Sequence, residues 1–408
     1  MGLYEDIFSS GPLLANHKVR HKKLIEFISK VMIATGAPRA SLAAKGPKYE
    51  KLIYNSNACS YGKRNKNQFY RYELLWKKDN EQAPIHGNSK KYAIVMQGQI
   101  CKESDFTVNT LLHYKKIYPD AMIILSTWED EDKNIIELLE KKGINCILNK
   151  YPPKEMYGRG NLNLQLINTL AGVKRAHENP EITYILKTRT DQRIYMVDFL
   201  NYFSNLLAAF PTRGLGKNIQ ERIVFMNCEG ASAIYYPFKL SDMLTFGSAA
   251  DILNLYQAPL TELHDDDFVE IDTHFNQFIP KLYELERKDG LTIEDIEQEI
   301  PQYRQLIEHK MRVTAETYLV SNYIKEYVIP FEIGSGVDYL DVHFRFLRDF
   351  AVIVDKTAIE LYWLKYQYRY LKVPNYKMCG LLDHAAWLNI YLNYEGSSRN
   401  DEEGINRH

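Results

Sequence analysis

The sequence predicts an α/β fold, a mainly parallel sheet flanked by helices, with helical additions at the N- and C-termini. Three observations carry this. Four apolar runs between residues 91 and 191 are separated by segments with helical spacing, the alternation expected of βαβ crossovers. The runs are nearly continuous in Ile, Leu, Val and Met, as in strands covered on both faces. Each ends on polar residues, and ligands of such sheets bind beyond the carboxyl ends of the strands.

The elements follow in order. In residues 1–90, "HKVRHKKLIEFISKVMIA" places Leu24, Ile25, Phe27, Ile28, Val31 and Met32 on one broad helical face with lysines opposite. A loop rich in Pro, Gly and Ala follows. The turn-formers of "NEQAPIHGNSKK" mark a boundary at 80–91. "KYAIVMQGQI" is then a first strand ending at Gln97-Gly98-Gln99, and "SDFTVNTLLHYKKIYPD" a helix capped by Ser104 or Asp105. "AMIILSTW" is the second strand, "DKNIIELLEKKG" a helix closed by Gly143, and "INCILNK" the third strand. "NLNLQLINTLAGVKRAHENP" reads as a longer helix leading into a fourth strand, "ITYILKTRTD".

Beyond Asp191 the pattern loosens. "MVDFLNYFSNLLAAF" reads as helix, "RIVFMNC" as strand, and a further helix starts near Ser248. Residues 260–305 read as an acidic helical insertion. "TAETYLVSNYIKEY" is a helix, whereas "YLDVHFRF" and "FAVIVD" are expected as strands. The resulting organisation is a basic helical segment at 1–90, a catalytic domain at 91–355 and an aromatic, basic helical segment at 356–408. Within the domain, 91–195 forms the donor half and 196–355 the acceptor half.

Composition narrows the function. With 408 residues, 45% apolar and 25% charged, the chain can bury a sizeable core. A net charge of −1 gives no global field for nucleic acid. Charge is uneven, however: residues 1–90 hold 16 basic and 7 acidic side chains, and residues 261–316 hold 6 and 15. Five scattered cysteines without CxxC spacing suit a reducing cytoplasm, not a zinc site or disulfide framework. No apolar run has the length of a membrane span. The expected location is therefore cytoplasmic, with peripheral contact at the inner membrane face. "YWLKYQYRYLK", with Lys365, Arg369 and Lys372, is the candidate for contact with anionic lipid. GxGxxG and GxxxxGK[ST] loops are absent, which speaks against dehydrogenases and P-loop kinases.

The chemistry concentrates at "YILKTRTDQRIY". Lys187, Arg189, Thr190, Asp191 and Arg193 bring cations suited to a diphosphate beside one carboxylate suited to Mg²⁺ or Mn²⁺. Sugar transfer from a nucleotide diphosphate needs that combination, because the leaving group gains negative charge as the glycosidic bond breaks.

The succession "VMQGQI", "YPDAMIILSTW", "GNLNLQ", "YILKTRTDQRIY", "SDMLTFG" and "AETYL" resembles the WavE family of lipopolysaccharide-synthesis proteins, itself similar to GT-A glycosyltransferases. The resemblance covers roughly residues 91–330. It implies a GT-A-like fold, a nucleotide diphosphate sugar donor (a UDP-sugar foremost), and a glycan or lipid-linked saccharide acceptor in the synthesis of lipopolysaccharide or capsule. It also implies that Asp191 holds the metal, with Arg189 standing where other GT-A enzymes have the first acid of Asp-x-Asp. Gln97, Gly98 and Gln99 would lie near the nucleoside, and Asn161, Asn163 and Gln165 near the donor. Helix capping is the structural alternative for these amides. Glu316 is the candidate base and Asp242 a second catalytic candidate. His343, in "DVH", is a candidate late metal ligand. A literal Asp-x-Asp, Asp265 to Asp267, competes with Asp191 for the metal. Two rival readings stand beside this one: a glycan phosphotransferase using the same cluster, and a degenerate transferase fold that scaffolds a polysaccharide complex.

Overall fold

The computed structural model describes residues 84–214, 216–227, 234–262, 281, 285, 292–364 and 382–394. The chain divides into two compact units, 1–82 with 363–376, and 83–362 with 377–408. The basic N-terminal segment, Asp265 to Asp267 and most of the aromatic, basic C-terminal stretch lie outside the described residues.

The second unit is organised around a seven-stranded sheet with the order β3-β2-β1-β4-β7-β6-β8. Strands β1 (Tyr92–Gln97), β2 (Met122–Trp128), β3 (Asn145–Asn149) and β4 (Tyr184–Arg189) are mutually parallel. The α/β class with a mainly parallel, helix-flanked sheet is thus the one observed. The connecting helices are α1 (Phe106–Ile117), α2 (Lys133–Lys141) and α3 (Leu162–His177). Every residue of β1 is buried, because helices cover both faces of the sheet. Gly172 is what allows α3 to lie so close: a Cβ there would sit 2.5 Å from Val95 Cγ1.

After a short strand β5 (Gln192–Ile194) and helix α4 (Phe199–Ala209), the sheet continues with β6 (Ile223–Met226) and β7 (Thr245–Ser248). Strand β7 runs antiparallel to β4, pairing Thr245 with Lys187. Consequently the loop that enters β7 sits beside the carboxyl end of β4. Helix α5 (Ala249–Tyr256) starts at Ser248, whose hydroxyl accepts from the Asp251 N–H. Then come α6 (Ile293–Glu299), opened by a Thr292–Asp295 capping box, α7 (Tyr303–Val313) and α8 (Ala315–Tyr323), which runs on into a π-helical turn, Ile324–Val328. Helix α9 (Tyr339–Phe350), strand β8 (Ala351–Val354) and helix α10 (His384–Asn393) follow.

"YLDVHFRF" is part of α9 and not a strand. Tyr339, His343, Phe346 and Phe350 recur at helical spacing and are buried with Leu340 and Leu347. Asp338 caps the helix by accepting from the backbone of Leu340 and Asp341.

Candidate active site

The site lies where the ends of β1 and β4, the start of α3, the loop before β7 and the start of α8 converge. Gly98 turns the chain at the end of β1 with φ +119°, and its N–H donates to Ser126 on β2 at 3.0 Å. The Thr190 N–H donates to the Gln97 carbonyl at 3.1 Å, tying the turn after β1 to the tripeptide after β4. Thr107 on α1 completes the joint: its hydroxyl donates to the Thr190 carbonyl at 2.8 Å and accepts from the Cys101 N–H at 2.8 Å. Gln97 is buried beside this joint and Gln99 is exposed beyond it.

In the tripeptide, Arg189 forks its neighbour. Nε donates to one Asp191 oxygen at 3.0 Å and Nη2 to the other at 3.2 Å. Asp191 is only 8% exposed and Arg189 is 24% exposed, so the pair is shielded but reachable. Lys187, two residues back on the same strand face, is fully buried and donates to the main-chain carbonyl of Asp242. Its ammonium also lies 5.6 Å from the centroid of the Tyr256 ring. Burial pushes this lysine down to about 8, a fall partly opposed by the Asp242 charge.

Asp242, in the loop before β7, is buried and its carboxylate accepts from the side-chain amide of Gln165 on α3. Glu316 reaches the same place from the first turn of α8. Burial raises its carboxyl above the usual range and the Asp242 charge raises it further, against its own backbone N–H, Lys239 and Arg189. The structure thus gathers Gln165, Lys187, Arg189, Thr190, Asp191, Asp242 and Glu316, drawn from four separate sequence motifs. Lys239 and Lys310 border Glu316 as well. Sequence reasoning missed these two, since an isolated lysine on a helix or loop carries no motif. Lys310 is buried and, like Lys187, pushed down to about 8, by burial and then by Arg159 and Lys239.

Other expected residues are placed elsewhere. His343 is buried in α9, its Nδ1 accepts from the Phe238 N–H at 3.1 Å, and burial holds it down to about 3. Its ring packs against Phe238 and Phe344. Arg193 is committed to α1, donating to Thr110 Oγ1 at 2.8 Å and to the Phe106 carbonyl at 3.2 Å while lying over the Phe106 ring. Asn163 is wholly buried, and its amide clamps two loops. It donates to the Met156 and Thr261 carbonyls and accepts from the Thr261 N–H, at 2.7–2.9 Å. Asn161 is exposed in the left-handed conformation before α3 and makes no side-chain cap.

As to metals, no group of three or more His, Cys, Asp or Glu side chains among the described residues could hold an ion. The acids at the site offer one carboxylate, Asp191, beside the Asp242–Glu316 pair.

Residues 92–376 match the model of the family described as WavE lipopolysaccharide synthesis. The chain is similar to the crystal structure of 4-diphosphocytidyl-2C-methyl-D-erythritol synthase from Anaerococcus prevotii, with TM-score 0.27, 14% identity and coverage of 49% of this chain and 86% of that one. It is also similar to core-mannan synthase A from Aspergillus fumigatus in its Mn/GDP form, with TM-score 0.24, 9% identity and coverage of 50% and 68%. A glycosyltransferase involved in glycosylation of the major capsid of PBCV-1 gives TM-score 0.22, 10% identity and coverage of 47% and 77%. No curated protein matches this chain.

Proposed function

The chain belongs to the WavE lipopolysaccharide synthesis family, and from that premise we propose that it transfers a sugar from a nucleotide diphosphate sugar, a UDP-sugar foremost, to a hydroxyl of a glycan or lipid-linked saccharide acceptor. The observation that carries this reading is the Asp242–Glu316 carboxylate pair set beside Arg189 and Lys239 at the carboxyl ends of parallel strands. A carboxylate whose proton affinity is raised is suited to general base catalysis near neutral pH. Cations beside it suit a diphosphate leaving group.

In this mechanism Glu316 accepts the proton of the attacking acceptor hydroxyl. The hydroxyl oxygen bonds to the anomeric carbon, and the electron pair of the broken glycosidic bond leaves on the nucleoside diphosphate. Arg189 stabilises the charge that accumulates there. Asp242 is a positioning residue, held by Gln165, whose negative charge strengthens the pull of Glu316 on the proton. One base suffices for inversion at the anomeric carbon, the outcome we favour. Asp191 is the residue that would hold Mg²⁺ or Mn²⁺, which when bound would supply charge neutralisation at the diphosphate. Its single carboxylate fits such an ion beside diphosphate oxygens and not in an all-protein cage. No helix among the described residues is long and apolar enough to cross a membrane, and we place the reaction at the cytoplasmic face, where a lipid-linked acceptor would be reached peripherally.

The test is nucleoside diphosphate release from a panel of nucleotide sugars, with and without Mn²⁺, by wild type, Asp191→Ala and Glu316→Gln. Release that depends on both residues supports transfer. Donor binding without release in any condition would favour the scaffold reading, and labelled phosphate in the product the phosphotransferase.

A further inference from the structure

Helix α8 carries a second feature on the side turned away from Glu316. Two cavities, of about 320 Å³ and 380 Å³, meet there and share Asn322 and Lys325 in their walls. At roughly 100° per residue, Tyr318, Ser321, Asn322 and Lys325 cluster about the point opposite Glu316. The facing wall is the last turn of α5 and the segment after it, with Asn254 and Gln257 in one cavity and Leu260 and Thr261 in the other. The Tyr318 hydroxyl donates to the Pro259 carbonyl at 2.8 Å and fixes the two walls relative to each other. Asn163, from the start of α3, pins Thr261 from behind. The walls of the groove are therefore tied by one exposed hydrogen bond and backed by two buried ones.

Its chemistry is mixed in a telling way. Leu260, 40% exposed, and Ile333 supply apolar surface, on which the C–H face of a sugar ring can pack. Arg312, Lys325 and the amides of Asn254 and Gln257 make no side-chain hydrogen bond or ion pair among the described residues. Such groups pair with hydroxyls as donors and, for the amides, as acceptors too. Glu262 and Glu326 also line the groove, Glu326 paired with Lys217 at 3.3 Å, so acids stand among its cations. Volumes of this size lie at the lower end of the range for ligand pockets, about 300–1,000 Å³.

We propose that this groove binds a stretch of the glycan acceptor remote from its reacting hydroxyl. The proposal rests on the transferase reading for the identity of the ligand as a glycan. Holding the same molecule on both sides of α8 turns delivery of its hydroxyl to Glu316 into an intramolecular step, which raises effective concentration without any new contact at the reacting centre. Acceptors long enough to reach the groove then have a lower KM than short ones at similar kcat.

The experiment titrates the full chain with core oligosaccharide released from lipopolysaccharide by mild acid, using calorimetry or ligand-observed NMR. The variants are Lys325→Ala combined with Asn322→Ala, and separately Gln257→Ala on the opposite wall. Lys325 and Gln257 are exposed, so their replacement spares the core, and thermal melts check the fold. The expected result is at least tenfold weaker binding by both variants, with unchanged release of nucleoside diphosphate to water. Binding as tight as wild type in both variants, or no binding by wild type, overturns the groove. If the oligosaccharide binds through these residues but no donor is ever consumed, the groove stands and the transferase reading falls. If transfer proceeds and the groove variants behave as wild type, the groove alone falls.

Discussion

The Lys187 ammonium donates a hydrogen bond to the main-chain carbonyl of Asp242, joining a buried point on β4 to the loop that carries one of the two paired acids. The sequence suggests that Lys187 faces the diphosphate; the structure instead makes it an internal strut. Its proton is held less firmly in the folded chain, from 10.5 down to about 8, so the unfolded chain binds more protons between these values. Stability from this group therefore rises as pH goes from about 8 to about 10.5, and below that window the burden is constant. With about 1.4 kcal/mol per unit, the full effect is on the order of 3 kcal/mol. Urea unfolding of wild type and Lys187→Met at pH 7.5 and pH 10 checks it. The wild type should gain more from the higher pH than the variant, and equal gains would remove the buried ammonium from the account.

Glu316→Gln keeps shape and removes the base. Transfer should fall by about 10²–10³-fold, within the usual range for a general base, while donor affinity measured by calorimetry stays within about twofold. Because the folded carboxyl is raised by burial and by Asp242, the acidic limb of the wild-type kcat/KM profile should lie above the ordinary glutamate range. Asp242→Asn removes the neighbouring charge, which should move that limb to lower pH. A limb that stays in place would show that Asp242 does not act on Glu316.

The donor half of the sheet was legible because buried parallel strands announce themselves as unbroken apolar runs and their helices as amphipathic segments with caps. The convergence of Gln165, Asp242 and Glu316 was legible only as three separate candidates, since nothing local says that β7 enters the sheet antiparallel beside β4. Helix α9 was misread because "YLDVHFRF" alternates over a few residues, and the cue that decides it, the Asp338 cap, lies outside that window. Arg193 is expected near the diphosphate from its place in the cation cluster after β4, and Asn163 near the donor from the family resemblance. The same hydrogen-bonding capacity that suits a ligand is used here to lock α1 and the 156–163 loop.

Arg189 and Asp191 form a planar two-point pair, and geometry, not charge alone, sustains it. Arg189→Lys keeps the charge and loses the fork. Donor affinity should fall about tenfold, and Asp191→Ala should abolish nucleoside diphosphate release at ambient Mn²⁺. In the lysine variant the shielded carboxylate is less tightly engaged, so raising Mn²⁺ should recover part of the loss. No response to Mn²⁺ in either wild type or variant would separate Asp191 from metal and leave it as the anchor of Arg189.

Gly98 joins the ends of β1 and β4 at a point where a side chain is costly twice over. Its φ of +119° lies where L residues are strained, and an added Cβ would stand 2.9 Å from Thr190 Oγ1. Gly98→Ala should therefore destabilise the chain by about 1–3 kcal/mol and also shift Thr190 with the neighbouring Asp191. Gly172→Ala offers the comparison, because its Cβ would strike Val95 under α3 within the core and not at the strand ends. Both variants should lose stability in thermal melts, but only Gly98→Ala should weaken donor binding by more than about fivefold. If the two weaken binding alike, the loss reflects general loosening of the sheet, and the turn after β1 has no separate part in shaping the donor site.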